Sequence, residues 1–289
     1  MRIPWFLALP LLWAACLPPA RGAPTILKLE PYRKGVAARV LVAGKERLFT
    51  FDTAAGISIV SPTLADEIGC EAFGRLSGHV MTGDRLDLPR CDGVAMAWDG
   101  MALTIPHAGV FKVETLLAKD AMPVDGTLGL DIFAGRTVTL DLAGGRLTVE
   151  TPESAAERVR GATQVPAHLL REVGGRALAV TVDVPTLQGA LAMELDTGNG
   201  GTILVSKPFA TVLGLDPDAA GPQRGSFTVA PGVEAKGLIF TPDLLIDGNL
   251  GMPFLKDWIV TLDLKDGRVW MRRNPVSPPP GMGDPPVVQ

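Results

Sequence analysis

Apolar residues fall in short runs and alternating stretches separated by glycine, proline and aspartate, which is the spacing of strands and tight turns. Arg39-Val-Leu-Val and residues 48–51 flank a Gly44-Lys45 turn and predict a β-hairpin. Residues 137–142 and 146–149 flank Ala-Gly-Gly and predict another, and a matching pair later in the chain turns at Lys265-Asp266-Gly267. Helical stretches are expected only over 62–68, with Ser61 capping and Pro62 in the first turn, and over 207–213 after Ser206. Residues 151–163, rich in Glu, Arg, Ala and Ser, read as a connector. The segment from Asn274 holds six prolines in sixteen residues and predicts a disordered extension.

The same pattern occurs twice. KERLFTFDTAAGISIVSPTLADEIGC (45–70) aligns with GALAMELDTGNGGTILVSKPFATVLGL (189–215), and their Asp-Thr pairs lie 144 residues apart. DGTLGLDIFAGRTVTLDLAGGRLTV (125–149) aligns with DGNLGMPFLKDWIVTLDLKDGRVWM (247–271) at a constant offset of 122. Two blocks recurring in the same order mean a duplicated β fold.

Composition narrows the function. The 289 residues are 47% hydrophobic, which is enough for a large core, and the 33 glycines and 25 prolines suit many short strands. Acidic residues outnumber basic ones by 31 to 27, so there is no basic field for a nucleic-acid partner. Residues 1–22 have the form of a secretory leader, with an apolar run too short to span a bilayer and a cut expected after Gly22. Cys16 sits in a weak lipidation context because Trp13 replaces a small aliphatic residue. Export to the periplasm or the extracellular space makes a Cys70–Cys91 disulfide an even alternative to two free, apolar cysteines. The three histidines, His79, His107 and His168, share no ligand spacing, and no zinc site, nucleophile elbow or phosphate loop is present in the sequence. No cofactor is expected.

The chemistry lies in Asp52 and Asp196. Each ends an apolar strand and enters a loop of small residues, Thr-Ala-Ala-Gly and Thr-Gly-Asn-Gly-Gly. A carboxylate there needs backbone donors, because the strand before it belongs in the core. If the copies pack about a pseudo-twofold axis the two carboxyls meet and share a proton, one serving as base and the other as acid. The duplicated Asp141 and Asp263 read as structural partners of Arg146 and Arg268, and Asp125 and Asp247 as turn residues.

On these residues the chain resembles two-lobed aspartic proteases of the pepsin and retropepsin superfamily, of the bacterial exported kind. Asp52-Thr53-Ala54 and Asp196-Thr197-Gly198 resemble the family's triplets, and Gly126-Thr-Leu-Gly129 and Gly248-Asn-Leu-Gly251 its second, hydrophobic-glycine element. The likeness covers residues 25–273. It implies an all-β fold of two pseudo-twofold-related lobes around a cleft: a leader over 1–22, a first lobe over 23–150, a linker over 151–163, a second lobe over 164–273 and the tail over 274–289. It further implies a monomeric aspartic endopeptidase, with Asp52 and Asp196 catalytic and Thr53, Ala54, Thr197 and Gly198 supporting them. An extended peptide or protein substrate would lie under a flap with Thr82, Gly83 and Asp84 at its tip. Two departures from the family are visible: Ala54 replaces a glycine, and the only tyrosine, Tyr32, precedes the first triplet instead of lying in the flap. They motivate a rival expectation, a non-catalytic peptide-binding protein that keeps the fold.

Overall fold

The computed structural model describes residues 22–116 and 120–286. The leader expected over 1–22 lies outside the described residues except for Gly22, and so does the weak lipidation site at Cys16. The chain forms a mostly β, two-lobed duplicated fold of three sheets. In the first lobe, Lys45–Phe51 runs parallel to Gly126–Leu128, and that strand pairs antiparallel with Ile59–Val60. The second lobe repeats the arrangement with Gly189–Leu195, Gly248–Leu250 and Ile203–Val205. Gly126 is needed at this crossing, since a Cβ there would run into the Ile59 carbonyl oxygen and the Phe49 ring.

The third sheet joins the lobes. Thr137–Asp141 pairs antiparallel with Trp258–Asp263, the strand 122 residues later, and Thr139 lies opposite its own counterpart Thr261. Their hydroxyls are 3.0 Å apart and both side chains are buried. The duplicated strand therefore pairs with its own repeat, and the pseudo-twofold axis passes between these threonines. Asp141 and Asp263, in the same strands, bind Arg146 at 2.7 Å and Arg268 at 2.6 Å. Asp125 and Asp247 accept the N–H groups of Leu48 at 3.1 Å and Ala192 at 2.9 Å, which ties each turn to the strand leading to the paired aspartates.

Core packing reaches the site directly. Trp98 is fully buried between Phe51 and Phe133, with ring centroids 6.0 and 6.2 Å away, and its indole N–H donates to the Lys28 carbonyl at 3.1 Å. Phe51 immediately precedes Asp52, so burial of its ring anchors the end of that strand.

Four local expectations are corrected or refined. Pro62–Glu67 is an α-helix whose cap, Ser61, accepts the Leu64 N–H at 3.1 Å. Lys207–Leu213 is a 3-10 helix instead, because the Ser206 hydroxyl is engaged with the backbone of Leu244 and does not cap it. The proline-rich tail is ordered through residue 286. Met282 is buried, the Gly283 N–H donates to the Lys34 carbonyl at 2.8 Å, and the Asn274 amide reaches Asp141 at 2.7 Å. Prolines lower the entropy this segment loses on docking, and these residues give it somewhere to dock. Within the expected connector, Pro152–Arg158 forms a helix with a reciprocal Thr151–Ser154 cap.

Cys70 and Cys91 form a disulfide with their Cα atoms 6.1 Å apart, joining the loop after the first helix to the long strand Arg85–Trp98. Replacing both by alanine is expected to lower unfolding stability by roughly 3 kcal/mol, through the loop entropy restored to the unfolded chain. A lower urea midpoint with an unchanged far-UV spectrum is the result to look for, and an unchanged midpoint would remove the bridge from the account of stability.

Candidate functional site

The strand-end positions of Asp52 and Asp196 are set by the glycine-bounded strands beside them. The Asp52 N–H donates to the Leu128 carbonyl at 2.9 Å and the Asp196 N–H to the Leu250 carbonyl at 3.2 Å. The following threonines then lock one lobe to the other. Thr53 Oγ1 donates to the Leu195 carbonyl at 2.6 Å and accepts the Thr197 N–H at 3.0 Å. Thr197 Oγ1 donates to the Phe51 carbonyl at 2.9 Å and accepts the Thr53 N–H at 3.0 Å. Both threonines are 1% exposed, so these groups are sealed from water.

With the loops held this way, the side chains of Asp52 and Asp196 face one cavity, close enough that each shifts the other's proton affinity. Gly198 is required by the approach, since a Cβ there would collide with the Asp52 carboxylate. Its counterpart Ala54 tolerates a methyl group, and the Ala54 N–H donates to Asp52 Oδ1 at 2.9 Å.

The two aspartates differ in their partners. Asp196 accepts the Asn199 N–H at 2.9 Å and the Asn249 side-chain amide at 2.7 Å. Asn199 in turn donates to Asn249 Oδ1 at 2.8 Å, which aims the Asn249 Nδ2 at the carboxylate. Burial pushes the Asp52 carboxyl up to about 8, reinforced by the negative charge of Asp196. Burial also raises Asp196, but the Asn249 and backbone donors oppose the rise. The proton of the pair therefore resides on Asp52, which leaves Asp196 as the acceptor.

A third carboxyl faces the same space. Glu194 stands two residues before Asp196 on the strand Gly189–Leu195, hence on the same face. Withdrawal from water, then the charges of Asp196, Asp52 and Glu172, push it up to about 9. Sequence reasoning missed Glu194 and the role of Asn249. The signal for Glu194 was present in the self-alignment, as a charge within GALAMEL where the first copy has Thr50.

The three carboxyls open into a cavity of about 580 Å³ whose walls include Ile57, Ile59, Leu76 and Leu88. Its roof is the hairpin of Phe73–His79 and Arg85–Trp98. The sequence-predicted tip, Thr82, Gly83 and Asp84, does not line the cavity. Thr82 Oγ1 donates to Asp84 at 3.1 Å, the Val80 N–H donates to the Asp84 carbonyl at 2.9 Å, and Gly83 turns at φ +96° and packs toward Leu245. The flap residues that line the cavity instead run from Leu76 to Met81, with Leu86 and Leu88 on the returning strand. The Leu245 N–H donates to the Met81 carbonyl at 2.9 Å, so the flap of the first lobe rests on the second. No residue of the second lobe's own hairpin, Gln223–Ala230 with Val233–Phe240, is among the described residues lining the cavity. No group of three or more His, Cys, Asp or Glu side chains that could hold a metal ion is present among the described residues. No described helix is long and apolar enough to cross a membrane.

No protein-family model matches the chain, and no curated protein matches it. Among solved structures it is similar to basic 7S globulin from soybean, with a TM-score of 0.54 and 11% identity over 86% of this chain and 94% of that one. It is likewise similar to conglutin gamma, a unique basic 7S globulin from lupine seeds, with a TM-score of 0.56 and 12% identity over 87% and 95% of the two chains. These likenesses show the fold. The expectation of a bacterial exported retropepsin-like endopeptidase is corrected here: these two neighbours are globulins by name, and no family model or curated protein matches the chain to support a peptidase. The physical reason is that the duplicated lobes and their aspartate loops are a scaffold, whereas hydrolysis depends on which carboxyl is ionised and what lies beside it.

Proposed function

We propose that this protein binds extended peptides in the cleft beneath the flap without hydrolysing them, as an exported protein whose disulfide persists in an oxidising compartment. The observation that carries this reading is an apolar, roofed cleft on whose floor Asp52 and Glu194 are held toward their protonated forms beside the acceptor Asp196. Protonated Asp52 offers a hydrogen-bond donor to a peptide carbonyl, and Asp196 offers an acceptor to a peptide N–H. Apolar walls take alternate side chains, and the flap strand presents main-chain groups along the ligand. A cleft with these features recognises a peptide backbone. Asp196, the carboxyl of the pair left to accept a proton, already takes the Asn249 amide and the Asn199 N–H, and these donors make it a weaker base toward water.

Titration of a mixed library of blocked octapeptides, followed by mass analysis of the recovered peptides, tests the proposal. Retention of a subset at micromolar concentrations with every recovered peptide intact from pH 4 to pH 8 is the expected result, on the order of −8 kcal/mol of binding free energy. Asp52→Asn is expected to weaken retention, since its amide cannot reproduce the donor and acceptor geometry of the carboxyl pair. New cleavage products that vanish in Asp52→Asn and Asp196→Asn would overturn the proposal.

A further inference from the structure

We infer that the cleft contains a recognition site for one basic side chain of the bound peptide, with Glu194 as its partner. The inference rests on the peptide-binding reading and adds the class of residue the ligand must carry.

The two lobes treat the position two residues before the paired aspartate differently. In the first lobe it is Thr50, whose hydroxyl lies 2.8 Å from that of Thr127 on the neighbouring strand. Thr127 is the register partner of Thr50, and Asn249 is the register partner of Glu194. The first pair satisfies itself. The second does not, because the Asn249 amide is committed to Asp196 and Asn199. Glu194 accepts no hydrogen bond from any described residue, and its electrostatic neighbours are Asp196, Asp52 and Glu172, all acidic.

The cavity lining offers no compensation. It includes four carboxylic residues and His79 but no lysine or arginine. A carboxyl partly withdrawn from water and without a donor is costly; the Thr181 hydroxyl, opposite it on the neighbouring strand, makes no bond to it, and the lining includes no cationic chain of lysine or arginine. An ammonium or guanidinium arriving on a ligand would supply that charge, releasing to solvent the proton that Glu194 holds in the free protein so that the pair forms as carboxylate and cation. The walls on this side of the cavity, Leu170, Val173, Ala177 and Ala179, are apolar. They suit the methylene stem of lysine or arginine, which packs against apolar surface while its head reaches a charge. An acidic side chain at this place would meet only repulsion.

The experiment uses the full-length mature protein and blocked octapeptides of alternating valine and alanine. One lysine is walked through every position, and a matched set carries norleucine at the same positions. At one register the lysine peptide is expected to bind at least about tenfold more tightly than its norleucine counterpart, a factor worth about 1.4 kcal/mol. Glu194→Gln is expected to bring that ratio to within about twofold of one. The wild-type comparison stands without the variant, so a folding defect in Glu194→Gln cannot hide the answer. Norleucine peptides that bind while no register prefers lysine would overturn this inference and leave the peptide-binding reading in place, as would a lysine preference that survives in Glu194→Gln. Failure of both peptide sets to bind would overturn the inference and the reading together.

Discussion

Removing the Thr53 hydroxyl will destabilise the protein by roughly 2–4 kcal/mol, because Thr53→Ala strands the Thr197 N–H and the Leu195 carbonyl in a region that water does not reach. Thr197→Ala will do the same to the Thr53 N–H and the Phe51 carbonyl. All four bonds cross between the lobes, so the double variant is expected to lose the greater part of a typical domain's stability. Thr53→Ser keeps the hydroxyl and should recover most of the loss, which separates the hydrogen bonds from the packing of the methyl group. Equilibrium urea unfolding of the wild type and the four variants is the measurement. A Thr53→Ala midpoint equal to that of the wild type would show that the cross-lobe bonds do not hold the aspartate loops together.

Stability will also fall as pH rises from about 4 to about 9. The ordinary values of Asp52 and Glu194, 3.8 and 4.5, apply in the unfolded chain, whereas the folded values are about 8 and about 9. Between those limits the unfolded state binds fewer protons than the folded one, so unfolding becomes easier with increasing pH. Each group steepens the fall by up to about 1.4 kcal/mol per pH unit. Asp131 adds to the trend, since burial raises it despite its bonds from Ser58. Asp263 acts in the opposite direction: burial pushes it up, but Arg268 and two backbone N–H groups hold it below its ordinary value, so its contribution is lost as pH drops through the folded value. Maximum stability is therefore expected in mildly acidic solution. Urea midpoints across this range should decline in the wild type and decline less in Asp52→Asn and Glu194→Gln. A midpoint that rises from pH 5 to pH 8 would mean that the cleft carboxyls are ionised in the folded protein.

Much of the architecture was legible because duplication leaves a signal that needs no contact information. The 122-residue offset marked two strands that the structure pairs about the axis, and the 144-residue offset marked Asp52 and Asp196, which line one cavity. Glycines 126 and 198 stood at the two places where a Cβ would collide with neighbouring atoms. The error at the flap was of another kind. Thr82-Gly83-Asp84 has turn chemistry and does form the turn, but turn chemistry carries no information about which side of the turn faces a cleft. The tail misled for a similar reason, since its proline content describes the free chain and not the buried site that receives Met282.

The sequence by itself determined the β alternation, the two copies, the paired Asp-Thr loops and the structural roles of Asp141 and Asp263. These follow from periodicities and repeats, which are properties of order along the chain. The tertiary structure alone decided that Asn249 donates to Asp196, that Glu194 has no donor, and that Met81 rests on Leu245. Each of these is a relation between side chains or backbone groups far apart in sequence. Which polar group is satisfied and which is left facing the cleft depends on strand register and on competition among neighbours, and that competition exists only once the lobes have closed.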